Sequence, residues 1–353
     1  MPGEPHVLGV GTALPPHRVD QAQLIERFRE LWAREHHNPE RVEQLHRAVK
    51  VSARHLALPL ADYAALDGLG AANDAWIRCA VDLGEVALTR ALARAGLRRD
   101  ELDQIVFVTV TGLATPSIEA RLANRLGLRP DLKRTPMFGL GCVAGAAGTA
   151  RAADALRGAP GETCALLSVE LCSLTLQRDD LSIPNLIASG LFGDGAAAVV
   201  LGGGARPGPG PRVAASRSVL YRDTERAMGW DVVDGGFKIV LGPEVPELVR
   251  ANLRQDVDRF LASQGLERRQ IRHWICHPGG PKVLEAVEAA LELPADALSR
   301  SWSSLEKVGN LSSASVLFVL AETLDEAQAG PGDLGLLMAM GPGFCAELVL
   351  LRW

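Results

Sequence analysis

Apolar positions along this chain follow two alternating rhythms. Short, nearly continuous apolar runs, DQIVFVTVTG (103–112), CALLSVEL (164–171) and AAAVVLGG (196–203), have the length of buried strands. Between them lie alanine-rich stretches with helical spacing, such as GEVALTRALARAGL (84–97). Strands alternating with helices predict an α/β protein. One stretch breaks both rhythms: GGGARPGPGPRVAAS (202–216) combines glycine, proline and small residues without period, and reads as an exposed connection. It divides the chain into an N-terminal half, 1–208, and a C-terminal half, 209–353.

The two halves follow one plan. In the first, a strand ends at VTVTG, a glycine-flanked Cys142 opens an alanine-rich helix, and FGDGAAAVVLGG supplies a turn and a strand. In the second, a strand ends at HWICHPGG, Asn310 after a glycine opens the helix LSSASVLFVLAETLDEA, and GPGFCAELVLLRW supplies the turn and strand. The repeat predicts duplicated α/β layers related by a pseudo-twofold axis, with the two helix openings facing one another.

With 353 residues, 47% of them hydrophobic and 22% charged, the chain can bury a large core. A formal net charge of -5 gives no electrostatic footprint for nucleic acid, so any anionic ligand must be met by a local basic patch. The start lacks a charged segment followed by a long apolar one, and no apolar run reaches the roughly 18 residues that span a bilayer. A soluble, cytoplasmic protein without a membrane span is expected. The six cysteines have neither metal-ligand spacing nor the density of a disulfide scaffold, so they are expected to be reduced thiols, mostly packed in the core.

Cys142 is the exception among them. It follows an apolar strand and begins a helix of small residues, where free N–H groups and the positive end of the helix dipole favour a thiolate. A thiolate needs a basic partner. His6, His17, His36, His37, His46 and His55 fall in polar or loop-like segments near the start of the chain, where solvated or capping roles are expected. His273 stands near the start of its strand and reads as structural. His277 stands at the strand's end, where α/β proteins bind ligands, although a satisfied strand-end histidine is the plainer reading. Asn310 has two readings as well: an ordinary helix N-cap, or an amide aimed into the cavity as an oxyanion donor. Taken together the three residues suit decarboxylative condensation. Cys142 carries an acyl group, His277 lowers the thiol pKa as its ion-pair partner, and His277 with Asn310 stabilises the enolate left when a malonyl thioester loses carbon dioxide. No metal or redox cofactor is required.

Five ordered motifs then carry a resemblance: GLGCVAGAAG around Cys142, FGDGAAAVV (192–200), CHPGGPKVLEAVE (276–288), GNLSSASVLFVL (309–320) and GPGF (341–344). The chain resembles the type III polyketide synthases, the chalcone and stilbene synthase-like enzymes. That resemblance implies the thiolase fold (αβαβα), acyl-CoA and malonyl-CoA as substrates, and a homodimer. It implies that Phe192 and Phe237 shape the mouth of the elongation cavity, with an ordinary core aromatic as the plainer reading of Phe237. It places Thr175 near the starter cavity, Gly279 and Gly280 against substrate, and Arg47 and Lys50, of the basic segment RVEQLHRAVKVSARH (41–55), on the CoA phosphates, unless that segment is simply a solvated helix face. GCVAGAAGTAR and VELCSLTLQRDD are most similar to the bacterial alkylresorcinol and alkylpyrone synthases, which implies a medium- or long-chain fatty acyl starter. A carrier-protein-dependent 3-oxoacyl synthase of the initiating type shares the same three residues. That family reads QAN after its histidine, however, where this chain reads PGG.

Overall fold

A computed structural model describes residues 3–32, 39–326 and 329–353. In the first half the elements are β1 (His6–Ala13), β2 (His17–Asp20), α1 (Gln21–Leu31), α2 (Pro39–Ala48), β3 (Ala53–Leu56) and α3 (Gly68–Arg94). They continue with β4 (Gln104–Thr109), α4 (Ile118–Leu126), β5 (Lys133–Phe138), α5 (Ala144–Gly158), β6 (Thr163–Leu171), α6 (Ile183–Leu191) and β7 (Asp194–Gly202). The second half has β8 (Arg212–Leu220), β9 (Met228–Val233), β10 (Gly236–Leu241), α7 (Val245–Ser263), β11 (Ile271–Cys276), α8 (Pro281–Leu291), α9 (Ser299–Val308), α10 (Ser315–Glu326), β12 (Leu334–Gly341) and β13 (Cys345–Arg352).

The strand order repeats. One half-sheet runs β1-β7-β6-β4-β5 and the other β8-β13-β12-β11, with matching orientations: antiparallel, antiparallel, then parallel. The half-sheets meet at β1 and β8 through a single residue pair, His6 with Arg212. Between them lie α5 and α10. Val106 and Leu166 from one sheet and Leu337 and Val349 from the other pack around Ala146, Ala150, Val316 and Leu320 of these helices. This sandwich explains the alanine-rich composition of α5, because a helix pressed from both sides has room only for small residues. Outside the first sheet lie α3 and α4, and outside the second lie α7 and α8. Five layers result, the αβαβα architecture of the thiolase fold. Strands covered on both faces are mostly apolar, and β6 and β7 are buried throughout, with Thr163, Ser168, Glu170 and Asp194 as their polar members.

The close approach of α3 to β1 depends on Gly11. A Cβ there would fall on the Ala87 carbonyl oxygen and the Ala91 nitrogen, both rigid helix backbone. Gly11→Ala is therefore expected to cost about 3 kcal/mol of stability through overpacking. A stability loss of less than about 0.5 kcal/mol in urea unfolding at constant slope would show that the helix does not bear on the strand there.

The fold overturns one early reading. His46 is fully buried, with Nε2 3.0 Å from Ser189 Oγ and its ring edge-on to Phe28, so it is neither solvated nor a cap. Burial, followed by the nearby Arg54 charge, pulls its pKa down to about 3. His6, His17 and His55 lie in strands and not in loops, whereas His36 and His37 lie outside the described residues. His273 is buried against Trp353 and 3.4 Å from Asp333, as its structural reading requires.

Candidate active site

Cys142 occupies a single 3₁₀ turn, Gly141–Val143, that runs directly into α5. The turn requires glycine at 141: its φ is +56°, and a Cβ would stand 2.7 Å from the Pro342 ring. The turn thus seats Cys142 of the first half against the β12–β13 turn of the second. His277 directly follows β11 and still donates its backbone N–H to Met338 O at 2.9 Å, so its ring projects from the sheet's end. Neither ring nitrogen has a hydrogen-bond partner among the described residues. Asn310 stands between α9 and the 3₁₀ turn Ser312–Ala314 that leads into α10. Its Oδ1 accepts from Ser312 N–H at 2.8 Å and its Nδ2 donates to Gly279 O at 3.1 Å. The amide therefore caps the turn with its oxygen, while its nitrogen reaches the loop after His277. An amide nitrogen carries two protons, which leaves one for the cavity.

The three side chains converge on one cavity of about 600 Å³ with a predominantly apolar lining. Cys142 Sγ lies 3.7 Å from Ser312 Oγ. Burial pushes the Cys142 thiol up to about 12, although hydrogen bonds from Ser312 and Asn310 pull the other way. Burial alone pulls His277 down to about 3. Burial thus works against the thiolate expected at this helix start, and against an imidazolium at His277, when each charge is taken alone. Moving the proton from Sγ to the imidazole creates both charges together and brings no net charge into the cavity. Burial penalises that pair less than either ion alone.

A buried cysteine, a histidine with free ring nitrogens and a fixed amide suit acyl transfer through a thioester. The comparisons decide which kind. The model of the chalcone and stilbene synthase N-terminal domain matches residues 1–205, and that of the C-terminal domain matches residues 213–353. The chain belongs to the chalcone and stilbene synthase family. It is 53% identical over 350 residues, 98% of this chain and 93% of the relative, to a 1,3,6,8-tetrahydroxynaphthalene synthase of Streptomyces peucetius subsp. caesius. It is 31% identical over 351 residues, 99% of this chain and 98% of the relative, to a phloroglucinol synthase of Pseudomonas fluorescens. Among solved structures it superposes with a TM-score of 0.94 on the 1,3,6,8-tetrahydroxynaphthalene synthase of Streptomyces coelicolor, a bacterial type III polyketide synthase, at 31% identity over 99% of both chains. This chain is accordingly a type III polyketide synthase, an acyltransferase that forms carbon–carbon bonds from CoA substrates.

Other expected site residues of this polyketide synthase are divided by the structure. Phe192, Gly279 and Gly280 line the cavity with the three central groups. Phe237 does not: it is the second residue of β10, buried near Phe138 and Trp230, and Trp230 and Phe344 supply aromatic lining instead. Thr175 donates to Cys172 O at 2.8 Å and faces a smaller neighbouring cavity of about 110 Å³. Cys172 and Phe192 line both spaces. Arg47 pairs with Glu43, and Lys50 with Glu285 while lying over the Trp302 ring, so neither lines the cavity. The cations that do are Arg41 and Lys282. The signal for Arg41 was present in the sequence, since Arg41, Leu45 and Ala48 share one face of α2 at helical spacing and Arg47 falls off it. Arg54, of the same basic segment, is fully buried.

Proposed function

We propose that this polyketide synthase builds an aromatic polyketide from malonyl-CoA, with the growing chain held on Cys142. The observation that carries the chemistry is the convergence of Cys142, His277 and Asn310 in one apolar cavity. His277 accepts the Cys142 proton, Sγ attacks the acyl-CoA thioester, and CoA leaves as its thiolate, which takes its proton from solvent while the imidazole keeps the one from Cys142. The protonated imidazole and the Asn310 amide then hold the thioester oxygen of malonyl-CoA. Carbon dioxide departs, and the electron pair it leaves behind rests as an enolate on that oxygen. The enolate carbon attacks the acyl carbonyl, the new carbon–carbon bond forms, and the bond to Sγ breaks. An apolar wall keeps water from quenching the enolate. No metal or redox group enters this sequence. In this reading Arg41 and Lys282, which line the cavity, meet the CoA phosphates, and the enzyme is a cytoplasmic homodimer.

The choice of malonyl-CoA as starter rests on the tetrahydroxynaphthalene synthase that is 53% identical, since a hydroxylated naphthalene carries no alkyl tail and needs no fatty starter. Malonyl-CoA supplied alone is expected to give carbon dioxide, free CoA and an aromatic product. Turnover only when a fatty acyl-CoA is added would overturn this choice. A fatty acyl starter released as an alkylpyrone or alkylresorcinol is the second reading. The observation favouring it is the smaller cavity, whose Leu24, Phe28, Leu56 and Leu176 wall adjoins the main one at Phe192.

A further inference from the structure

We propose that Arg54 is a positioning residue for the condensation, holding the turn at Leu191–Gly193 and, through it, the Phe192 wall and the Asn310 amide. The inference rests on the decarboxylating role given above to Asn310. Arg54 lies on β3 and is fully buried, yet its guanidinium reaches no substrate space of the main cavity. It is spent on the C-terminal end of α6. Nη1 donates to Ser189 O at 3.1 Å and to Phe192 O at 2.9 Å, while Nη2 donates to Gly190 O and to Gln21 Oε1. Three carbonyls at the negative end of a helix thus share one cation. Gln21 in turn donates to His46 O at 2.7 Å and to Gly190 O at 3.1 Å, locking the guanidinium plane.

The held turn is also the clamp on Asn310. Asn310 N–H donates to Leu191 O at 2.9 Å, Gly193 N–H donates to Asn310 O at 3.0 Å, and Phe192 and Asn310 form a parallel bridge. Cys142 and His277 hang on other supports, the Gly141–Val143 turn and the end of β11, neither of which Arg54 touches. A shift of the α6 terminus therefore moves the Asn310 amide relative to the thiol and the imidazole. Such a shift spares the thiol–imidazole pair and damages the step that needs the amide. Lysine cannot replace this arginine, because a single ammonium lacks the planar fork that spans three carbonyls and a glutamine.

The test compares two rates in the full-length enzyme: carbon dioxide release from carboxyl-labelled malonyl-CoA, and alkylation of Cys142 by iodoacetamide. Arg54→Lys is expected to lose roughly 10- to 100-fold in carbon dioxide release while alkylation stays within about threefold of the parent. Gln21→Leu loosens the same guanidinium without removing it, and is expected to show a smaller loss with the same selectivity. It carries the test where Arg54→Lys does not fold. Equal loss of both rates, or no loss of carbon dioxide release, would overturn the proposal. A parent enzyme that alkylates normally but releases no carbon dioxide overturns the role given to Asn310, and this inference with it.

Discussion

Cys142→Ala is expected to abolish polyketide formation, by more than about 10⁴-fold, and to leave slow decarboxylation of malonyl-CoA in place. The sulfur is the atom that carries the chain, so without it no acyl adduct forms and the enolate has nothing to attack. Loss of carbon dioxide asks something different of the site. It needs the thioester oxygen held, and the groups that hold it, His277 and Asn310, are fixed by β11 and by the Ser312–Ala314 turn independently of the sulfur. Alanine also fits, since it removes only the sulfur from the turn Gly141–Val143. Intact-protein mass after acyl-CoA treatment reads the adduct directly. An adduct that survives in Cys142→Ala would move the nucleophile elsewhere, and Cys172, which lines the same cavity, would be the first residue to examine.

Asn310→Ala is expected to slow carbon dioxide release by roughly 10²- to 10³-fold, the loss that follows removal of one oxyanion donor. The variant separates the two readings of this residue. A mere turn cap contributes its Oδ1 bond to Ser312 N–H, and losing that bond costs about 1 kcal/mol of stability with little change in rate. An oxyanion donor contributes through Nδ2, and its loss falls on decarboxylation while iodoacetamide still alkylates Cys142. Labelled carbon dioxide release measured beside thermal stability distinguishes them. A folded Asn310→Ala enzyme that decarboxylates at the parent rate would leave the residue as a cap only.

The catalytic candidates were legible because each stands where local signals coincide. Cys142, His277 and Asn310 all lie at glycine-flanked junctions between strand, turn and helix, and a junction can be read from a few neighbouring residues. The layered fold was legible for a related reason: β6 and β7 are apolar at most positions on both faces, so both faces had to be covered. Arg54 and His46 were not legible. In the sequence both belong to a basic amphipathic segment, and what buries them is the end of α6, brought in from more than 130 residues away. Phe237 failed for a geometric reason. The part of β10 that lines the cavity is Ile239–Leu241, on both strand faces, so Phe237 falls just short of it along the strand, and composition carries no information about where that wall begins. The helix start that favours a thiolate at Cys142 is visible in the sequence, whereas the depth of burial that opposes it is not.

The sandwiching of α5 and α10 between the two half-sheets also governs when the enzyme becomes reactive. During synthesis the segment bearing Cys142 leaves the ribosome well before the one bearing Asn310. Until the second sheet arrives, α5 has only one of its two covers and the thiol has neither an imidazole nor an amide beside it. The nascent chain therefore carries an ordinary cysteine. Its chemistry depends on the docking of one half onto the other, so a chain interrupted before Asn310 is expected to lack polyketide synthesis.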